Sequence, residues 1–177
     1  MADFVLKNGV NLTIRAARPN DAQAVLDSIE IVSGESDFQT FGPGEFGLSV
    51  EQEASVLARF DESANQIYVL ALIDGQIVGT GVLGASQRPR LRHRCELSMS
   101  TQKRFWGLGI GRKVLEYLIA WAKQNEQLTK LDLEVRTDNE RAIRLYERCG
   151  FENEATLKKQ IFHKGVYHDL FRMGMDV

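Results

Sequence analysis

Cysteine is scarce in this chain. Only two of its 177 residues are cysteines, Cys95 and Cys149, in unlike contexts and without metal-ligand spacing. That excludes a disulfide framework and a cysteine-based zinc site, and it suits reduced thiols in a cytoplasmic protein. Histidine adds no ligand set. His93 lies among arginines, His163 and His168 flank a turn, and none stands at zinc spacing from a cysteine. No metal is expected. Long hydrophobic runs are missing too: no stretch approaches the roughly 20 apolar residues that span a bilayer. Met1-Ala2-Asp3-Phe4 has neither the basic start nor the apolar run of a secretory leader, so none is expected, and no membrane partner. Neither charge is in clear excess. Lys and Arg total 22 against 24 Asp and Glu, a formal net charge of −2. A surface dedicated to nucleic acid carries a basic excess, so nucleic acid is not an expected partner.

What is present is an ordinary globular mix, 44% hydrophobic and 26% charged, in a length that suits one domain over residues 1–177. Residues 12–16 alternate as a strand. Pro19-Asn20-Asp21 opens a helix with Ala24, Val25, Ile29 and Val32 at helical spacing. Residues 33–48 carry five helix breakers and predict a long loop, the kind that often bears function. Phe38, Phe41 and Phe46 stand there beside Glu35, Asp37 and Glu45, a mix that suits a cover over a cationic amine or a packed surface loop. Ser49 and Gln52 fit a capping box at the start of a helix running through Arg59. Asp74-Gly75 predicts a tight turn between strands 66–73 and 76–83.

A strand at 95–101, a helix at 109–125 and a strand at 131–135 predict a right-handed parallel crossover. A helix at 139–149, closed by Gly150, follows. Strands 155–162 and 166–175 predict a hairpin around His163-Lys164-Gly165. The fold class is therefore α+β with a mixed sheet. Arg88, Arg90, Arg92 and Arg94 alternate before the central strand, either as a basic stripe for a phosphate or acidic acceptor or as a solvated edge.

The most informative segment is Trp106-Gly107-Leu108-Gly109-Ile110-Gly111-Arg112, between a predicted strand and a long predicted helix. A helix N-terminus offers unpaired N–H groups and the positive end of the dipole, and glycines let a ligand approach the backbone. Together they suit a phosphate. A Walker A loop is excluded, because Gly111 is followed by Arg112 and Lys113 rather than Lys-Ser/Thr. A dinucleotide fingerprint is excluded by the Gly-x-Gly-x-Gly spacing and the mid-chain position. A second segment runs from Asn139 to Phe151. Asn139 and Tyr146 are two helical turns apart and share a face with Ala142 and Ile143. If the two parallel strands splay, that face borders a cofactor; otherwise Tyr146 is core and Asn139 an N-cap.

Glu96-Leu97-Ser98, the glycine turn, and Asn139…Ala142…Leu145-Tyr146…Gly150-Phe151 together resemble the GNAT N-acetyltransferase superfamily. The resemblance implies an acyl-CoA N-acyltransferase fold, with a six- or seven-stranded, mostly antiparallel sheet splayed between a central parallel pair and helices on both faces. It implies acetyl transfer from acetyl-CoA, the co-substrate, to a primary amine on a small molecule, peptide or protein. The family's pyrophosphate loop reads Gln/Arg-x-x-Gly-x-Gly/Ala. Aligned on Gly109 and Gly111, its first position falls on Trp106; aligned on Gly107 and Gly109, it falls on Arg104. The first frame is preferred, because Gly111 then opens the helix. The implied cofactor contacts are Met99, Ser100 and Thr101 on the strand, Trp106, Gly107, Leu108, Gly109, Ile110, Gly111 and Arg112 in the turn, and Asn139, Ala142 and Tyr146 beyond.

Amide formation from a thioester needs a neutral amine, a donor for the oxyanion, and a proton for the departing sulfur. A bulge or splay near Met99-Ser100 would free a backbone N–H for the oxyanion. The family gives a tyrosine at position 146 the role of acid, and phenol and thiol have comparable reference pKa values, ~10 and ~8.5. Glu96, with Ser98 and Ser100 on its face, and Glu134 on the neighbouring strand are the two candidate bases; each is otherwise a solvated strand residue. The alternatives are an acetyl-CoA-binding sensor, an inactive protein of the same fold, or a transferase for another acyl-CoA. A homodimer through the C-terminal hairpin stays open.

Overall fold

The computed structural model describes residues 1–177. Local turn and cap chemistry sets most of its boundaries. Strands β3 (Ile67–Ile73) and β4 (Gln76–Ala85) join at Asp74 and Gly75, with φ of 49° and 77°. This mirror-image turn matches the right-handed twist of the flanking strands. Strands β7 (Glu152–His163) and β8 (Val166–Asp176) join at Lys164 and Gly165, φ 50° and 80°, so His163 ends a strand rather than opening the loop. Helix α1 (Ala22–Glu35) runs further than the composition suggests and trims the following loop to residues 36–49. Helix α2 (Val50–Asp61) starts on the expected capping box. The Ser49 hydroxyl accepts from the Gln52 N–H, and the Gln52 side chain accepts from the Ser49 N–H at 2.8 Å.

The sheet has eight strands rather than six or seven, in the order β1-β2-β3-β4-β5-β6-β8-β7. The additional strand is β1 (Ala2–Val5), which pairs antiparallel with β2 (Asn11–Ala16) and is too short for its alternation to register. Only β5 (Arg94–Thr101) and β6 (Lys130–Arg136) run parallel. Because β5 lies between β4 and β6, the arginines before it form no edge stripe. Residues 88–93 are turn and bend, and Arg94, the one arginine of the four within β5, faces Asp132 at 3.6 Å.

Helix α3 (Ile110–Lys123) buries Ile110, Val114, Leu115, Leu118 and Ala122 on one sheet face. Its close seat depends on Gly81 of β4, where a Cβ would stand 2.5 Å from Val114 Cγ1 and 2.9 Å from Leu118 Cδ1. Helices α1 and α2 cover the other face over Val25, Leu57, Tyr68, Leu70 and Ile77. The last helix, α4 (Glu140–Arg148), ends at Gly150 with φ 100°. No helix is long and apolar enough to cross a membrane.

The feature that positions the site is the short parallel pairing. β5 and β6 match only at Arg94–Lys130, Cys95–Leu131 and Glu96–Asp132. Beyond Glu96, β5 stays with β4 as far as Thr101 opposite Gly79, and β6 stays with β8 as far as Arg136 opposite Leu170. The two strands part, and a wedge opens between them.

One core polar group gives a stability test. Glu53 of α2 is 1% exposed, and burial pushes its carboxyl pKa up. The folded state therefore holds this proton at pH values where the unfolded chain has released it, and stability falls as pH rises through the raised value. Glu53→Gln should raise the Tm at pH 8 by about 2–4 °C, on the order of 1 kcal/mol, and by less at pH 4. An equal shift at both pH values in thermal unfolding would contradict this origin.

Candidate active site

The wedge between β5 and β6 holds a cavity of about 580 Å³. Met99, Ser100 and Thr101 form its β5 side. The Gln102 N–H donates to the Val78 carbonyl at 3.0 Å, which fixes the phase of the strand. By two-residue alternation, Ser98 and Ser100 turn their backbone groups to β4, while Met99 and Thr101 turn theirs to the wedge. The β4–β5 register is unbroken, so the splay alone frees the Met99 N–H and no bulge is involved.

Across the wedge stands the glycine turn. Gly107 and Gly109 have φ of 84° and 93°, a region that disfavours side chains. Gly109 is the N-cap of α3 and Ile110 its first residue, so the helix opens one residue before Gly111 rather than at it. Gly111 answers to space instead: a Cβ there would touch Met99 Cε at 3.4 Å. No side chain caps this helix end, which leaves its first N–H groups to a ligand in the cavity. Leu108 departs from the expected set: it turns away from the cavity and packs against the main core.

The third wall is α4. Asn139 caps it, its Oδ1 accepting from the Ala142 N–H at 3.3 Å, and it also lines the cavity. Tyr146 is buried edge-on to Phe151 with ring centroids 5.9 Å apart, yet it reaches the cavity wall. Burial pushes its phenol up to about 12.

Residues 35–151 match the family model for the acetyltransferase (GNAT) family. The chain belongs to that family. Its relatives include the L-amino acid N-acetyltransferase AaaT of Escherichia coli, 30% identical over 106 residues. That match covers 60% of this chain and 65% of that protein, just under two thirds of the relative's length. A GNAT acetyltransferase from Streptococcus pneumoniae superposes with a TM-score of 0.91 at 34% identity, over 94% of this chain and 99% of that one. The Salmonella typhimurium protein yncA, solved with its cofactor acetyl-CoA, shares the fold at 20% identity, TM-score 0.79 and 93% coverage of each chain. Family activity is acetyl transfer from acetyl-CoA, the co-substrate, to an amine.

In this GNAT chain Trp106 immediately precedes the first glycine of the turn, and the helix start at Ile110 does not favour the alignment on Gly109 and Gly111 over the one that puts Arg104 first. The Trp106 Nε1–H donates to the Thr101 carbonyl at 2.8 Å, and the Arg141 guanidinium stacks 4.5 Å over its ring. One side chain thus ties the end of β5 to the first turn of α4. The repeat of glycines drew attention to the turn, but nothing in spacing pointed to Arg141.

The long loop divides between its two readings. Phe38 and Gln39 reach the cavity, whereas Phe41 and Phe46 stack on each other at 5.2 Å. Asp37 binds Lys164 at 2.6 Å and faces His163 at 3.3 Å on the β7–β8 tip. Its carbonyl accepts from Arg136 at 2.8 Å, and that buried guanidinium is paired with both oxygens of Asp138. Glu35 accepts from the Lys103 N–H at 2.6 Å. The start of the loop is therefore pinned to the framework at two points, Glu35 and Asp37.

The two candidate bases do not line the cavity. Glu96 is exposed at the last rung of the parallel pair and makes no ion pair, while Glu134 is paired with Arg172 at 2.5 Å. Trp106→Ala removes both the Thr101 hydrogen bond and the Arg141 platform, together worth about 1–2 kcal/mol. Acetyl-CoA affinity should fall about 5- to 30-fold by calorimetry. Trp106→Phe, which keeps the platform, should lose less; equal losses would contradict the stacking role.

Proposed function

We propose that this chain moves acetyl from acetyl-CoA to a primary amine by direct attack in a ternary complex, as one catalytic unit over residues 1–177. One observation carries the reading: Met99, the open N-terminus of α3 and Tyr146 all border a single cavity. The α3 N–H groups and Arg112 suit a diphosphate. Asn139 and Ala142 border the pantetheine path opposite β5. Met99 donates its N–H to the thioester oxygen as negative charge develops there, a contribution of ~3 kcal/mol for one preorganised donor.

The amine enters at the end covered by Phe38 and Gln39. It must shed a proton held at a pKa near ~10.4. Glu96 takes that proton, because Arg172 occupies Glu134. Ser100 is four residues from Glu96, ~13 Å along the strand, so water beside Ser98 carries the proton. Tyr146 then donates to the departing sulfur. With the phenol at about 12 and a reference thiol at ~8.5, transfer is uphill on paper. The same burial raises the thiol as well, which narrows the gap.

Two finer expectations belong to this proposal. The half-buried Cys149 and buried Cys95 are free thiols, which suits a cytoplasmic setting. The exposed Phe162–Tyr167 pair on the hairpin tip, centroids 4.8 Å apart, is the surface that would meet a second copy.

Thiol release from acetyl-CoA with a panel of amines tests the activity. The L-amino acids named for the relative AaaT are the first to try. Binding of acetyl-CoA without turnover on any amine would favour a sensor. Tyr146→Phe should bind acetyl-CoA normally and lose about 10²- to 10⁴-fold in kcat. Because the phenol keeps its proton up to about 12, wild-type kcat should hold its plateau to pH 10. A fall near pH 8–9 that vanishes in Tyr146→Phe would contradict this. Glu96→Gln should flatten the acid limb of kcat/KM; an unchanged limb removes Glu96 as the base.

A further inference from the structure

Rows across the sheet sort the side chains of β5 onto two faces. Val69, Gly81 and Met99 are cross-strand partners, and Gly81 lies under Val114 of α3. That row faces α3. The next row is Leu70, Thr80 and Ser100. Leu70 belongs to the apolar cluster under α1 and α2, so Thr80 and Ser100 face those helices. Ser100 also lines the main cavity, together with Val32 of α1 and with Phe38 and Gln39 of the cover. Its hydroxyl therefore stands on the acceptor side of the wedge, away from the glycine turn.

Thr80 is a polar residue in an apolar setting. It is buried on the face occupied by Leu70 and Ile77. Valine would fill the same space without a hydroxyl to satisfy. The Thr80 hydroxyl instead lies 3.0 Å from the Ser100 Oγ. Beside it stands Tyr68, its diagonal neighbour across β3 and β4. Burial and the charge of Glu53 push the Tyr68 phenol up, and the adjacent Thr80 hydroxyl draws it down. Tyr68 meets Phe60 of α2 edge-on, with ring centroids 5.8 Å apart, which fixes its ring. Polar groups thus run from the buried Glu53 under α2 to Ser100 at the cavity wall.

We propose that Ser100 holds the acceptor amine, its oxygen accepting from the amine N–H while its own O–H donates to Thr80. The inference rests on the acetyltransferase reading above and deepens it. Thr80 is a positioning residue. By accepting the Ser100 O–H, it leaves the Ser100 lone pairs turned to the cavity. Consecutive residues then hold the two reacting groups. The Met99 N–H meets the thioester oxygen, and Ser100, ~3.8 Å further by Cα, orients the nitrogen that attacks the carbonyl carbon. As the N–C bond forms, the nitrogen gains positive charge, so its N–H···O bond to Ser100 strengthens in the transition state.

Steady-state kinetics with the best primary amine of the panel above, together with calorimetry of acetyl-CoA, test the assignment. Ser100→Ala should lower kcat/KM for the amine about 10- to 100-fold. It should bind acetyl-CoA within about twofold of wild type, which also shows that it is folded. Thr80→Val should lose about 3- to 10-fold in kcat/KM, and Thr80→Ser, which keeps the hydroxyl, should stay within about twofold of wild type. In the Ser100→Ala background, Thr80→Val should add no further loss, because its effect passes through Ser100. Four results would each overturn the assignment and leave the acetyltransferase reading standing: an unchanged kcat/KM in Ser100→Ala, a matching fall in its acetyl-CoA affinity, equal losses in Thr80→Ser and Thr80→Val, or fully multiplicative losses in the double variant. A wild-type chain that acetylates no amine would overturn both.

Discussion

Parallel pairing between β5 and β6 lasts for three residues and stops at Glu96, and the rest of the site follows from that stop. A strand in mid-sheet has both backbone edges satisfied. Past Glu96, β5 keeps its partner on one side only, so the groups of Met99 and Thr101 face a cavity instead of a neighbour. Thr101 is partly answered by the Trp106 indole. The Met99 N–H is left as a donor at fixed height and direction. An unpaired buried backbone group costs about 1–3 kcal/mol, and a ligand that pairs with it recovers that cost.

Packing on either side keeps the wedge from closing. α3 is drawn onto β4 by the missing side chain of Gly81, and its N-terminus comes to rest over the β5 side of the gap. On the far side, β6 is committed to β8 along seven matched residues. Arg136, at the end of β6, is locked by Asp138 and by the Asp37 carbonyl of the covering loop. The same guanidinium that ends the strand thus holds the cover. Helix dipole, freed amide and buried phenol are all fixed before any substrate arrives, which is the arrangement electrostatic catalysis requires.

Much of this was legible in the chain because it is local. Asp74-Gly75, Ser49…Gln52 and Gly150 each set a boundary through their own backbone preferences, and the turn after β5 advertised itself by its glycines. The parts that were not legible are nonlocal or turn on register. Where β5 leaves β6 depends on strands more than thirty residues apart in sequence. The alternating arginines 88–94 suggested a stripe, but alternation has meaning only in a strand, and most of that segment is a turn. Leu108 sits among cavity residues yet faces the core. Glu134 and Glu96 look equivalent in sequence; Arg172, 38 residues beyond Glu134, separates them.

Amide hydrogen exchange along β5 tests the central claim most directly. In the free protein, the Ser98 and Ser100 amides should be protected by β4, while the Met99 amide exchanges much faster. Saturating acetyl-CoA should protect Met99 and leave Ser98 and Ser100 little changed. Strong protection of Met99 without nucleotide, or exchange that acetyl-CoA does not slow, would mean that the wedge does not present this donor and would contradict the mechanism built on it.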